Sequence, residues 1–271
     1  MEFTKRENLM TLAELEKMRD AFKTCCPDFV DFEHTNGVYF DQERGAKNYK
    51  NDLIKDAKTI LAGPGGDQPE NVGLQFLKLV QKGKFLNQYA WMAIAKGGAP
   101  AKQSVAVALG DMLLSKEIPA VAVANAADRI HPILREGLGG TNAFAHVRSL
   151  VTYTLALAQP ERAIAVKTDY LEKAFRRLTG RRLFSNAVIS AGEYQALLDL
   201  AFEIQTVLKE WDWKPQDLWD VQGFLWVVAD YPPPPPPPPP PPETDVNPVA
   251  DQPMVDPPAL NLILYGPPGT G

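Results

Sequence analysis

Apolar residues recur along most of the first 231 positions with the three-to-four-residue spacing of amphipathic helices. The clearest stripe, in 190–210, is mostly apolar and consists of Tyr194, Leu197, Leu198, Ala201, Gln205 and Leu208. Similar spacing predicts helices over about 11–23, 46–62, 71–82, 103–115, 126–136, 142–158, 168–179 and 190–210. Strand-like alternation is confined to Val38–Phe40 and Ala120–Ala124, and the second run fits a helix equally well. The pattern predicts a mainly α fold, a multi-helix globular domain over 1–231.

Local signals predict where several of these helices begin and end. Thr11 and Glu14 have the spacing of a capping box, which would open the first helix. Gly180 directly follows the helix predicted over 168–179 and should end it. Pro215 suits the first turn of a last helix, with Asp217 in the positive N-terminal turn.

Tryptophan is concentrated at the end of this domain. Four of the five tryptophans, Trp211, Trp213, Trp219 and Trp226, lie within 211–227. Apolar residues there fall at helical spacing, which favours a core-facing helix. Aromatic rings can also stack on nucleic-acid bases, so a base-binding platform is the alternative interpretation.

A proline run separates the helical domain from the remainder of the sequence. Pro232–Pro242 is eleven consecutive prolines, which should form a polyproline II rod of roughly 34 Å. The acidic, proline-containing stretch that follows predicts a linker over 232–259. Leu260–Tyr265 is a short apolar run typical of a buried strand, and it begins a third segment over 260–271.

The acidity of the chain is concentrated beyond the proline run. The net charge is −5, and 232–271 holds four acidic residues and no Lys or Arg. Removing these four from the chain's 33 acidic residues leaves 29 acidic against 28 basic residues in 1–231. A nearly neutral domain has no overall field that attracts nucleic acid, so any such binding must come from a local basic patch.

The densest basic patch lies in the segment LEKAFRRLTGRRLF, residues 171–184. Between 161 and 185 there are seven basic and three acidic residues. Leu171, Phe175 and Leu178 share one helical face, and the basic residues lie opposite or just after Gly180. Guanidinium groups bind phosphate bidentately. We therefore predict DNA phosphate contacts by Lys173, Arg176, Arg177, Arg181 and Arg182, with an ordinary solvated helix face as the alternative.

The residues needed for catalysis or metal binding are not arranged in any recognised spacing. Cys25 and Cys26 are adjacent, and the three histidines are isolated, so neither a disulfide framework nor a zinc site is predicted. The acidic stretch around Asp31 lacks nuclease spacing and is predicted to be a solvated loop. No catalytic residue, metal or cofactor is predicted for this chain. No secretory signal or transmembrane run is present, which predicts a cytoplasmic protein without a membrane partner.

The sequence closes with NLILYGPPGTG, an apolar run followed by most of a phosphate-binding loop. The loop pattern G-x-x-x-x-G-K-[ST] holds nucleotide phosphates on backbone N–H groups. Its first six positions are Gly266, Pro267, Pro268, Gly269, Thr270 and Gly271. We predict that these residues form a partial nucleotide-binding site.

This ending resembles the Walker A segment of AAA+ ATPases. Because Tyr265 directly precedes the first glycine, it is most similar to the motor subunits of McrBC-type, modification-dependent restriction systems. The segment WDWKPQDLWDVQGFLWV (211–227) is similar to one that precedes the motor in some of these proteins. The resemblance implies an N-terminal domain that reads DNA. It also implies a motor oligomer that hydrolyses GTP or ATP with Mg²⁺ and works with a nuclease subunit.

Two hypotheses for function follow from these features. The first is a DNA-binding specificity domain of a McrB-like AAA+ restriction subunit, and the sequence leaves open whether the DNA base is modified. The alternative is an adaptor domain that recruits a protein to another AAA+ ATPase. Since the sequence stops inside Walker A, we expect no nucleotide hydrolysis by this chain alone. An enzymatic role for 1–231 itself has no supporting set of residues.

Overall fold

The part of the chain that the structure describes is built from helices. This computed structural model describes residues 10–40, 49–86 and 88–229, so the predicted segments 232–259 and 260–271, with the Walker A residues, lie outside it. The helices are α1 (Leu12–Cys25), α2 (Tyr49–Ala62), α3 (Pro69–Lys82), α4 (Gln88–Lys96), α5 (Gly98–Leu114), α6 (Pro119–Gly137), α7 (Phe144–Ala158), α8 (Thr168–Thr179), α9 (Ala191–Glu210) and α10 (Leu218–Val227). No strand occurs within these ranges. The predicted mainly α class is confirmed.

Most predicted helices are present, and the differences have local causes. Helix α8 has the predicted bounds, and Gly180 ends it in the left-handed conformation with φ 71°. Ala120–Ala124 lies inside α6, because Pro119 suits a first helical turn and alanine favours helix. Val38–Phe40 is helical as well. Helix α4 was not predicted, since nine residues are too few to give a clear periodic signal.

Capping chemistry differs between the two helices that have a capping-box sequence. Thr11 is the N-cap of α1 but its side chain makes no capping hydrogen bond, so the predicted capping box is wrong there. Glu14 instead lies 3.4 Å from the ammonium group of Lys17. At α9 the box is complete: the backbone N–H of Glu193 donates to the Ser190 hydroxyl at 3.2 Å, and that of Ser190 donates to the Glu193 carboxylate at 2.8 Å.

Helices α3 and α5 approach each other closely because each has a glycine, without a side chain, at the crossing. A Cβ on Gly73 would collide with the backbone carbonyl of Ala106, and one on Gly110 would collide with that of Pro69. Helix α6 in turn contacts α4, α5, α7 and α9. These contacts place α6 at the centre of the described domain.

Aromatic side chains connect the N-terminal segment to the connection between α9 and α10. Phe22, Phe29 and Phe32 pack around Trp213, with ring centroids 5.2, 4.9 and 6.3 Å from it. The backbone N–H of Phe32 also donates to the Trp213 carbonyl at 2.8 Å. Aromatic pairs at such distances add to the stability gained by burial. Residues far apart in sequence therefore share one core.

Helix α10 begins later than predicted. Asp217 is its N-cap and accepts a hydrogen bond from the backbone N–H of Trp219 at 2.8 Å, so Pro215 precedes the helix. The Trp219 ring is buried, and its indole N–H donates to the carbonyl of Ala156 at 3.0 Å. The interpretation of the tryptophan-rich segment as core is confirmed for Trp213 and Trp219.

Candidate nucleic-acid interface

Helix α8 presents an apolar face to the core and basic residues to solvent. Its buried residues are Leu171, Ala174, Phe175 and Leu178. Lys173 and Arg176 are exposed on the opposite side. The N–H of Gly180 donates to the Arg176 carbonyl at 2.8 Å, which closes the last turn. The helix is therefore a fixed support for the basic side chains near its C-terminal end.

Two carboxylates fix the backbone of the loop that follows α8, residues 180–190, here called the basic loop. One carboxylate oxygen of Glu172 accepts hydrogen bonds from the backbone N–H groups of Leu183 and Phe184, both at 3.0 Å. Glu193, at the start of α9, accepts from the backbone N–H of Ser185 at 2.6 Å. These bonds give the loop a defined conformation although it has no regular secondary structure.

A buried arginine holds the same loop from beneath. Arg148 of α7 donates through Nη2 to the carbonyls of Ser185 and Ala187, at 2.6 and 2.9 Å. Its guanidinium lies 4.6 Å from the centre of the Phe184 ring. Burial lowers the pKa of Arg148, and the charges of Glu193 and Glu172 oppose that effect. Only 5% of Arg148 is exposed, so its role is to position the loop rather than to bind a ligand.

The five predicted DNA-binding residues differ in their exposure to solvent. Lys173, Arg176, Arg181 and Arg182 are exposed. The position of Arg177 opposite the apolar stripe predicts an exposed side chain, and this is wrong: Arg177 is half-buried, and its Nη1 atom is shielded from solvent. The reason is that Arg177 lies at the border between the apolar and polar faces of α8. Arg182 is 70% exposed, and its Nε lies 3.6 Å from the Glu172 carboxylate.

An aromatic pair lies beside the N-terminal end of α8. The rings of Tyr170 and Trp226 have centroids 4.0 Å apart, and the Lys167 ammonium lies 4.3 Å from the centre of the Trp226 ring. Both rings are half-buried. Trp226 thus differs from Trp219, and part of its surface remains accessible.

The acidic stretch near the N-terminus is not simply a solvated loop. The Asp31 side chain is 3% exposed and accepts hydrogen bonds from the His34 ring at 2.7 Å and the Lys214 ammonium at 2.9 Å. Burial raises the pKa of Asp31, but these hydrogen bonds outweigh burial and hold the pKa well below its ordinary value. The prediction is therefore corrected: Asp31 connects the N-terminal segment to the connection between α9 and α10. Two further acidic residues of the stretch predicted to be a solvated loop, Asp41 and Glu43, lie outside the described residues.

Neither a metal cluster nor a membrane span is found in the described ranges. No group of His, Cys, Asp and Glu residues there is arranged to hold a metal ion. None of the helices found there is long and apolar enough to cross a bilayer. The predicted Walker A residues Gly266 to Gly271 lie outside the described residues.

Two features were missed at the sequence level, one beneath the basic loop and one on the separate surface of α3 to α5. Arg148 lies in an apolar helix with no local signal for its contact with the basic loop. Lysines of α3 to α5 had a signal: the 40 residues from Asn71 to Gly110 contain five lysines and no Asp, Glu or Arg. That stretch is less dense in charge than 171–184, but no acidic residue within it offsets the lysines.

Comparisons with protein-family models, curated proteins and solved structures found no significant match to this chain. The resemblance to McrB-like motor subunits stays a prediction from two short segments, 211–227 and 261–271.

Proposed function

We propose that the helical domain is the DNA-binding specificity domain of a McrB-like AAA+ restriction subunit. The observation that carries this proposal is the cluster of exposed Arg176, Arg181 and Arg182 at the C-terminal end of α8 and in the basic loop. Arginine suits phosphate recognition because its planar guanidinium donates two parallel hydrogen bonds. The domain as a whole is nearly neutral, with 29 acidic and 28 basic residues in 1–231, so binding of a polyanion needs a local basic patch of this kind.

The fixed conformation of the basic loop supports this role. Hydrogen bonds from Glu172 and Glu193, and the buried Arg148, hold its backbone in place before any ligand arrives. A loop that is already ordered loses less conformational entropy when it binds. The exposed arginines can therefore act as phosphate contacts that set the position of the duplex.

This proposal extends, through the resemblance alone, to what a complete McrB-like subunit would do. It includes a cytoplasmic location, a motor oligomer that hydrolyses GTP or ATP with Mg²⁺, and a nuclease subunit as partner. The DNA base recognised, modified or unmodified, is left open. The adaptor hypothesis is kept as the alternative and is separated from DNA binding by the experiment below.

Fluorescence anisotropy with labelled duplex DNA tests the proposal on the full chain across a salt series. The double variant Arg176→Ala/Arg181→Ala should make the negative slope of log affinity against log salt concentration shallower by about two, since each phosphate contact contributes about 0.9 to its magnitude. Affinity should fall alike for methylated and unmethylated duplexes, because phosphate contacts carry no sequence information. Arg177 is left unchanged because its partial burial would add a stability effect.

A matched control removes the same charge elsewhere. Lys116→Ala/Lys209→Ala replaces two exposed lysines that lie outside α8 and the basic loop, and it should change the salt slope much less. Equal affinity of the arginine variant and the parent at every salt concentration would exclude this patch. If the parent binds no duplex at all, the DNA hypothesis is wrong and the adaptor hypothesis takes its place.

A further inference from the structure

A groove lies between α3, α4 and α5, on elements separate from α8 and the basic loop. Its volume is about 430 Å³, within the range of sites that receive ligand groups. Leu77 and Ile94 are buried beneath it, and Trp91 is half-buried. Met92 is 48% exposed although it is one of the groove's apolar residues. The groove therefore offers an apolar floor that is open to solvent.

Lysines border this floor. Lys78 of α3 and Lys102 of α5 both contribute to the groove and are exposed. Neither forms an ion pair with any residue of the described ranges, whereas Lys82 lies 2.8 Å from Asp56. The surrounding stretch from Asn71 to Gly110 contains no acidic residue. The positive charge at the groove is thus not neutralised by its own helices.

We propose that this groove binds an amphipathic helical segment of a partner protein, with apolar anchors along one face and acidic residues flanking them. The apolar anchors would cover Met92 and Trp91, and the acidic residues would face Lys78 and Lys102. Grooves of this kind bind helices through side chains at i, i+3 or i+4, and i+7. Charge of opposite sign at the rim selects the partner and speeds association.

The residue types fit a peptide better than a nucleic acid. Methionine is flexible and adapts to differently shaped apolar anchors. Lysine stems extend apolar surface while their ammonium groups remain in water. A phosphate backbone could neutralise Lys78 and Lys102 but would leave the apolar floor in contact with water. An acidic amphipathic helix satisfies both parts of the groove.

The close α3–α5 crossing gives the groove a firm base. Gly73 and Gly110 allow the backbones of the two helices to touch, so the wall from α3 and the wall from α5 are held at a fixed separation. A preformed groove binds without first paying an ordering cost. The proposal does not depend on DNA binding by α8.

A displayed library of amphipathic helical peptides of about four turns tests this inference. Apolar anchors are varied, and the flanking positions sample Glu, Lys and Ser. The full chain is the bait, and the variant Met92→Glu is used for counter-selection. Peptides enriched on the parent should carry acidic flanks and anchors at helical spacing. Enrichment of basic or neutral flanks, or no enrichment over the Met92→Glu variant, overturns the proposal.

An enriched peptide is then synthesised with a fluorescent label and its affinity measured by anisotropy. The variant Lys78→Glu/Lys102→Glu should bind it at least about tenfold more weakly. The control Lys116→Glu/Lys209→Glu makes the same change in net charge outside the groove and should remain within about twofold of the parent. Equal weakening by both variants would mean that only net charge matters and would overturn the inference.

Folding of the variants is checked through their thermal unfolding midpoints. Phe202→Glu is the control for Met92→Glu, because Phe202 is an exposed apolar residue of α9 that is 39% accessible. It should leave peptide affinity unchanged. Loss of peptide binding in Phe202→Glu to the same extent as in Met92→Glu would contradict a specific groove.

Two other occupants have distinct outcomes. If Lys78→Glu/Lys102→Glu abolishes duplex binding, the groove binds nucleic acid. If the selected peptide then fails to compete with DNA, the peptide binds at another site and the proposal is wrong. If the parent forms dimers in sedimentation velocity and Met92→Glu is monomeric, the groove binds a second copy of this chain instead. Both outcomes are independent of the Arg176→Ala/Arg181→Ala result, so the two proposals fail separately.

Discussion

Replacing Gly110 by Ala should destabilise the protein, although alanine is the better helix former. Gly110 lies in α5 where this helix crosses the first turn of α3. An added Cβ would overlap the carbonyl and Cα atoms of Pro69. These are backbone atoms, so no side-chain rotation relieves the overlap and the two helices must move apart.

The magnitude follows from two opposing effects. Greater helix propensity of Ala over Gly stabilises by about 1 kcal/mol. Overpacking a closely packed core costs about 1–3 kcal/mol, and a clash with backbone belongs at the upper end of that range. The net loss for Gly110→Ala is about 2 kcal/mol. In a chain of this size that should lower the thermal unfolding midpoint by about 4–8 °C.

Gly192 provides a matched control for the same chemical change. It lies in the first turn of α9, and a Cβ there meets no other atom within 4 Å. Gly192→Ala should therefore raise the stability by about 0.5–1 kcal/mol and the midpoint by about 1–4 °C. Thermal and urea unfolding of the full chain, followed by far-ultraviolet circular dichroism, measures both variants. Equal stabilisation by the two substitutions would show that the helices do not cross at Gly110 as described.

Two further predictions concern capping and acid stability. Ser190→Ala should lower the free energy of unfolding, measured in urea, by about 1 kcal/mol, because it removes a formed cap. Thr11→Ala should lower it clearly less, because Thr11 makes no capping hydrogen bond. Equal losses would contradict the difference between the two caps. Asp31→Asn should lower the unfolding midpoint at pH 7. Because the pKa of Asp31 is lowered on folding, its stabilisation is complete above the ordinary aspartate pKa and is lost as pH falls through the folded value. The difference from the parent should therefore shrink below about pH 4, and a constant difference across pH would exclude this role.

The candidate interface could be predicted only in part. The face of α8 that bears Lys173 and Arg176 follows from helical periodicity, and Gly180 is a strong local signal for a helix end. Arg177 could not be placed correctly, because its exposure depends on what packs beside the border of the helix. The hydrogen bonds of Glu172 and Glu193 to the basic loop join residues 8 to 12 positions apart, beyond the range of any local pattern.

The sequence by itself determined the helical class and the bounds of α8, because spacing and capping residues act within a few positions. Tertiary structure alone decided the burial of Asp31 and its pairing with Lys214, which is 183 positions away. It also decided that Arg148 lies beneath the basic loop and that α3, α4 and α5 form a groove. Burial is set by which surfaces meet when the chain folds, and local residue patterns contain no information about distant partners.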